Sequence, residues 1–446
     1  MHRKIIIITL IIFTIILVAL FSNFMTPLIL QIPFILIAFS SVFFSRGILI
    51  FLTALCLPLA QSPFRMIQSA AIHLRWVFFA LFFLHVFGDI FLGRTVRKIK
   101  IFDALAIVFV VFAFFSSLYS LYPSLTIERA TTALALYISV FWIIWKYVYE
   151  QGAEKAVSLI LNVTLLIFII SYLMIFISPR MVFLSGRFQG ILQNPNSIGI
   201  TCAIFLPLSL WQFLETKKKT PLFLFFLMLV ALFISASRNS INAAVIAMGY
   251  FIYMRSKKYR PLIFFTSMSL IAILAWAIQT LAKQFFYAYY RTETIPTLGG
   301  RVEIWPLAWN LIMDKPIFGY GFGVEERILS LKYAILSQKG FSGYLHSSYL
   351  GIILQLGIIG FILFFIPLFI LLFKELFSRP DSRMPSLRHA LRTSFMAGLL
   401  CCLFESWVYS VGNAQAFPFW IIVMLLVFYR YQDKETDMPT AMPEGT

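Results

Sequence analysis

Charge is scarce in this chain. Only 12% of its 446 residues are Asp, Glu, Lys or Arg, against about 25% in a soluble domain. So few charges cannot cover a water-exposed shell, and no separate soluble domain is expected. Cysteine is nearly absent too. Cys56, Cys202, Cys401 and Cys402 all fall in apolar runs, and none has metal-ligand spacing. Their expected role is apolar packing, not a disulfide framework or a metal centre. Acidic residues number 18 against 36 Lys and Arg, a formal net charge of +18. On a soluble protein that excess would suggest nucleic acid. Here the cations sit mostly in short loops between apolar runs, so membrane topology explains them and no nucleic-acid partner is expected. No internal repeat is visible.

What the chain has in abundance is apolar length. Hydrophobic residues make up 61% and aromatics 17%, and runs near the 20 residues needed to cross a bilayer recur from end to end. Spans are expected near 4–22, 25–42, 46–60, 72–92, 103–121, 127–148, 157–178, 196–213, 220–235, 239–254, 260–282, 346–374, 389–411 and 415–431. The run at 46–60 is short enough to be re-entrant. Met1-His2-Arg3-Lys4 ahead of the first run resembles a signal peptide, but a second run follows at once, so an uncleaved helix is the better reading. The fold class is therefore an all-α polytopic membrane protein with about 12–14 helices. A single integral domain is expected over 1–431, with a disordered cytoplasmic tail over 432–446.

Orientation follows from the basic clusters. Arg94, Arg97, Lys98 and Lys100, then Lys217, Lys218 and Lys219, then Arg255, Lys257, Lys258 and Arg260, then Arg379, Arg383, Arg388 and Arg392 all fall on one face with both termini. That face should be the cytoplasm. The opposite face receives 179–195, 236–238 and the long loop 283–345, which carries seven basic and five acidic side chains. Val324, Ile328, Leu331 and Ile335 recur at helical spacing in that loop, as do Trp305, Ala308, Trp309 and Ile312. Such helices could lie on the membrane surface and roof a cavity.

Several polar groups gather on this outer face. Ser185-Gly186-Arg187-Phe188-Gln189-Gly190 leads into Asn194-Pro195-Asn196, so Arg187 is held near the membrane surface, either snorkelling to headgroups or binding an anion. Arg238, in Ser235-Ala236-Ser237-Arg238, is a cation where the positive-inside tendency gives no reason for one. Its planar fork suits a phosphate, whether of bulk lipid or of a specific ligand. Arg301 opens a helix in Gly300-Arg301-Val302-Glu303-Ile304-Trp305, where the dipole opposes a cation; an anionic ligand, or a salt bridge to Glu303 or another acid, would relieve the conflict. Pro316-Ile317-Phe318-Gly319-Tyr320-Gly321-Phe322-Gly323 is a glycine-rich turn without the strand and βαβ unit of a dinucleotide site or the pore architecture of a potassium filter, and reads as a hinge or close-approach turn. His346 begins a long apolar helix, where neutral imidazole can accept a proton near pH 7. Glu405 lies in an apolar run and needs a partner, an arginine or His346. Arg129, after Glu128, lies at the outer end of another helix and could join the group. Converging on one membrane face, these residues suit a lipid-linked phosphate or diphosphate.

With those residues in view, the chain resembles the O-antigen ligase and polymerase family of bacterial envelope glycosyltransferases. The resemblance runs through the motifs around Arg187, Asn194-Pro195-Asn196, Arg238 and Arg301. It continues through 316–323, His346 with Tyr349-Leu350, Gln355-Leu356-Gly357-Ile358-Ile359-Gly360 and Glu405-Ser406-Trp407. It covers roughly 185–410. Many members have asparagine directly after the histidine, where this chain has Ser347. The resemblance implies a GT-C-like integral-membrane glycosyltransferase of the inner membrane that needs no metal or other cofactor. The implied donor is a glycan on a polyprenyl (undecaprenyl) diphosphate. The implied acceptor is lipid A–core for a ligase or another lipid-linked repeat for a polymerase. In that frame His346 would deprotonate the acceptor, and Arg187, Arg238 and Arg301 would hold the diphosphate. Glu405, Glu303, Arg129, Asn194 and Asn196 would support them. A ligase is preferred slightly over a polymerase. A transporter or flippase for the same lipid would instead place charged groups in both membrane halves, and by sequence the inner half looks bare.

Overall fold

A computed structural model describes residues 45–93, 99–255, 301–332, 344–377, 386–409 and 413–436. The expected runs at 4–22, 25–42 and 260–282 lie outside these residues, as do Arg94, Arg97, Lys98, Lys257, Lys258, Arg260, Arg379, Arg383 and Ile335. Every other expected run corresponds to a helix. In chain order these are α1 (Arg46–Leu59), α2 (Arg65–Phe91), α3 (Ile101–Phe115), α4 (Pro123–Gln151) and α5 (Ala153–Ile177), then a short α6 (Pro179–Val182). After them come α7 (Pro195–Thr216), α8 (Lys219–Ser235), α9 (Arg238–Arg255), α10 (Arg301–Asp314), α11 (Glu325–Lys332), α12 (Ser348–Phe377), α13 (Ser386–Cys401) and α14 (Ala416–Thr436). Among the described residues the sheet is one two-stranded hairpin, β1 (Phe183–Leu184) paired antiparallel with β2 (Arg187–Phe188). Six helices, α2, α3 with its 3₁₀ extension to Leu118, α4, α5, α7 and α12, are long and apolar enough to cross a bilayer. The protein is an all-α polytopic membrane protein.

The packing follows the apolar sequence. α7 is buried along almost its whole length and packs on α8, α9 and α13, and α13 packs on α14. Helices at the edge turn large apolar side chains outward: Phe91, Phe176 and Ile177 are exposed, as suits a surface bathed in lipid rather than water. All four cysteines are buried free thiols. α1 has 14 residues and contains Pro58. At about 1.5 Å per residue it falls short of a full bilayer crossing.

Two departures from the expected spans shape the site. First, α13 ends at Cys401 instead of running to 411. The unwound chain turns its carbonyls to the start of α12: Ser348 N donates to Cys402 O at 2.9 Å and to Glu405 O at 3.1 Å. Ser348 Oγ also donates to Glu405 O, at 2.7 Å. Glu405 thus sits on an irregular segment, not in a membrane helix. Second, α12 is broken at Gly357 (φ 63°, ψ −165°). The glycine-rich turn at 316–323 docks onto that break. Tyr320 N donates to Leu354 O at 3.2 Å, Gly321 N to Gln355 O at 2.8 Å, and Ile358 N to Pro316 O at 2.8 Å. A Cβ on Gly357 would overlap the Ile317 carbonyl, and one on Gly319 would crowd the Gln355 backbone. The two glycine motifs are halves of one contact, and the turn is a close-approach device.

The loop helices α10 and α11 share a small core of their own. Ile304, Ala308, Ile312, Tyr320, Val324 and Ile328 pack with Leu345 and Leu354. Trp309 and Leu331, expected on the apolar stripes, are exposed instead; Leu329 takes the buried place on α11. α14 continues to Thr436, so the expected tail starts as helix; 437–446 lie outside the described residues.

Candidate active site

The polar residues at one end of the bundle meet around Glu405. α7 starts at Asn194, which caps it by accepting from Asn196 N at 2.8 Å, with Pro195 in the first turn. The cap aims Asn196 at its neighbours. Asn196 Nδ2 donates to Glu405 Oε1 at 2.6 Å, while its Oδ1 accepts from Arg187 at 2.7 Å. Arg187 stands on β2, beyond the tight turn made by Ser185 (φ 49°) and Gly186 (φ 75°). Its Nε donates to Ser235 O at 2.8 Å, three residues before Arg238 at the start of α9. Arg301, at the start of α10, donates to Glu405 Oε1 at 3.0 Å and to Phe404 O at 2.6 Å. Arg301 thus pairs with Glu405, as an acid partner was expected to.

His346 completes the group, its Nδ1 lying 3.4 Å from Glu405 Oε2. A proton on Nδ1 directed at that carboxylate leaves Nε2 with its lone pair, the form that accepts a proton. The contact is long, as catalytic hydrogen bonds often are before substrate binds. The His346 backbone is left-handed (φ 51°), a conformation that costs about 1–3 kcal/mol and persists only where the surroundings enforce it. They do so from both sides. Leu345 N donates to Glu325 Oε1 at 2.7 Å and Trp305 Nε1 donates to Leu345 O at 2.9 Å. On the other side Ser347 N donates to Ser406 Oγ at 3.1 Å, and Ser347 Oγ accepts from Leu350 N at 3.4 Å. Ser347 therefore makes the helix-start contact itself.

Glu325 is the feature that sequence reasoning missed. It is buried, and its two oxygens accept from Leu345 N, Ser406 Oγ, Gln355 Nε2 and Tyr409 OH. Burial lifts its carboxyl above the ordinary range; the donated hydrogen bonds oppose the shift without cancelling it. With its lone pairs engaged, Glu325 serves to fix Leu345 and so His346. In sequence, Glu325-Glu326 looks like an ordinary acidic first turn. The available signal was Gln355, an amide inside an apolar run that needed a partner.

A cavity of about 460 Å³ opens beside these groups. Arg129, Asn194, Glu325, Glu326, Arg327, Tyr344, His346, Glu405 and Tyr409 are among its lining residues. Arg187, Arg238 and Arg301 are not among the described residues that line it; Arg187 and Arg301 are linked to it through Asn196 and Glu405. Burial pushes the Tyr344 phenol up to about 12, so it stays protonated at neutral pH. The opposite end of the bundle is not bare, contrary to the sequence reading. Asp89 is bonded by Arg46 and Lys146, and Glu375 by Arg388, Arg392 and Arg430. None of those residues lines the cavity.

Comparison with known proteins bears on what such a site does. Residues 223–365 match the family model described as O-antigen ligase. Over that stretch the chain is similar to the O-antigen ligase family. A Rickettsia conorii protein, named only as a candidate polysaccharide ligase, is 30% identical over 162 residues, covering 33% of this chain and 38% of that protein. A Rickettsia felis protein with the same description is 29% identical over 160 residues, with the same coverage. The chain thus spans 38% of the length of the curated relatives it matches. The matched region contains Arg238, Arg301, Glu303, Glu325, His346 and Gln355. Arg129, Arg187, Asn194, Asn196 and Glu405 lie outside it, and the fold brings these together with Arg301, Glu325, His346 and Gln355 in one network or cavity wall.

Proposed function

We propose that this protein transfers a glycan from a polyprenyl diphosphate carrier to a sugar hydroxyl, with lipid A–core as the acceptor, by a single inverting displacement. The observation that carries the reading is His346, held in a strained backbone against Glu405 on the wall of a polar cavity at one end of the membrane helices. His346 Nε2 takes the acceptor hydroxyl proton as that oxygen attacks the anomeric carbon. The carbon–phosphate oxygen bond breaks, and polyprenyl diphosphate leaves with the electron pair. Glu405 stabilises the imidazolium that forms. Arg187, Arg238 and Arg301 act on the diphosphate from the Glu405 side, where fixed donors favour the charge that develops. In this reading the site faces the periplasm, with 283–345 as its periplasmic loop in an inner-membrane domain spanning 1–431, a topology supported by the basic clusters that the sequence assigns to the other face.

The ligase reading draws on the family match and on the names of the relatives. Polymerisation of lipid-linked repeats uses the same donor chemistry and differs only in acceptor. A flippase is disfavoured because the cavity borders one end of the bundle, while the charges at the other end are engaged in ion pairs. The test is purified protein in nanodiscs given undecaprenyl-diphosphate-linked glycan together with lipid A–core, with products resolved on a gel. Glycan-bearing lipid A–core is the expected product. A ladder of lengthened lipid-linked glycan would replace ligase with polymerase, and absence of both products would overturn the transferase reading.

A further inference from the structure

Of the three arginines assigned to the diphosphate, Arg187 and Arg301 engage protein groups around Ser235 and Glu405, and none of the three is among the described residues that line the cavity. Arg129 does line it. Its position is built rather than incidental. Gly323 (φ 78°) has its backbone pressed on the Arg129 stem, so that any Cβ there would overlap Cβ and Cγ of the arginine. Gly323 N is itself fixed, donating to Gln355 Oε1 at 2.8 Å, and Gln355 is tied to Glu325. The glycine-rich turn thus locks one side of Arg129. Arg75 of α2 lies within electrostatic reach of Arg129, and its Nε is buried without a hydrogen-bond partner among the described residues.

The acids nearby do not neutralise this pair by direct bonding. Glu325 engages the four donors described above. Glu326 lies beside Tyr344. Glu405 is bonded to Asn196, Arg301 and His346. Among the described residues no carboxylate forms an ion pair with Arg129. Glu128, beside Arg129 in the chain, offsets part of the repulsion that Arg129 exerts on Arg75, and among the described residues it forms no ion pair with either; an anion in the cavity would offset it further. A guanidinium fork matches phosphate oxygens.

We infer that Arg129, locked by Gly323 and reinforced by the charge of Arg75, is the cavity's own phosphate-binding group and holds a phosphate or diphosphate of a substrate opposite His346. The inference rests on the transferase reading and assigns the anion seat to a residue outside the family-matched region. The phosphate can come from the donor's diphosphate or from a phosphorylated acceptor. Binding separates these sources from each other and from the underlying reading.

The probes are inorganic pyrophosphate, undecaprenyl diphosphate and a phosphorylated core oligosaccharide. Each is titrated separately against wild-type protein and Arg129→Gln in phosphatidylcholine nanodiscs, with thermal unfolding recorded to confirm the fold. Loss of one charged hydrogen-bonding group should weaken binding about tenfold or more. Weakening of pyrophosphate and undecaprenyl diphosphate supports the seat and assigns it to the donor. Weakening of the core oligosaccharide alone supports it and assigns it to the acceptor. If Arg129→Gln does not fold, Arg129→Lys, which keeps the charge without the fork, serves in its place with the same expected direction. Equal affinities in wild type and variant overturn the inference and leave the transferase reading standing. Absence of binding to the wild type by all three probes overturns both.

Discussion

A His346→Ala protein is expected to accumulate in the membrane as the wild type does and to transfer glycan about 10²–10⁴-fold more slowly, the usual contribution of a positioned general base. Its fold should survive because the neighbouring backbone is held by groups other than the imidazole: Glu325 and Trp305 on Leu345, and Ser406 on Ser347. His346→Asn is the sharper variant. Asparagine tolerates the left-handed backbone but supplies no base, so it should keep the thermal midpoint and show the same loss. Wild-type transfer by either variant would remove His346 from the chemistry.

Glu405→Ala should be damaging in a different way. Glu405 is 8% exposed and takes hydrogen bonds from Arg301, Asn196 and His346. Deleting it leaves a largely buried guanidinium without this counterion, a loss of about 3–5 kcal/mol when a buried pair is broken from one side. The variant should unfold at a markedly lower temperature and lose transfer together with stability. Glu405→Gln keeps the shape and separates the two effects. Its stability loss should be smaller, while transfer should still fall, because a neutral amide cannot stabilise the imidazolium. A Glu405→Ala protein as stable as the wild type would show that the network is not what holds this end of the bundle.

Much of this organisation was legible in the sequence, because lipid imposes a simple rule: a spanning segment is a long apolar helix. The same rule exposed Glu405, a carboxylate in an apolar run that had to find a partner, and it found both suggested ones, Arg301 and His346. What was not legible depended on contacts distant in sequence. The end of α13 at Cys401 follows from the needs of the α12 start, which takes up the Cys402 and Glu405 carbonyls; hydropathy alone carried that helix on to 411. The break at Gly357 and the turn at 316–323 each looked like an isolated glycine motif, and only their docking shows why both need glycine. Glu325 was hidden because an acid at a helix start is ordinary, and nothing in its local sequence marks it as buried. Charges at the opposite end escaped notice for a similar reason: Asp89 and Lys146 lie far apart in sequence and meet only when α2 and α4 pack.

The most direct test of direct displacement by a histidine-activated hydroxyl is the anomeric configuration of the new glycosidic bond. It would be read by NMR on the product of purified protein supplied with a polyprenyl-diphosphate-linked glycan of defined configuration. Inversion relative to the donor is the result this mechanism requires. Retention would demand two displacements through a glycosyl-enzyme intermediate and would contradict the role given to His346.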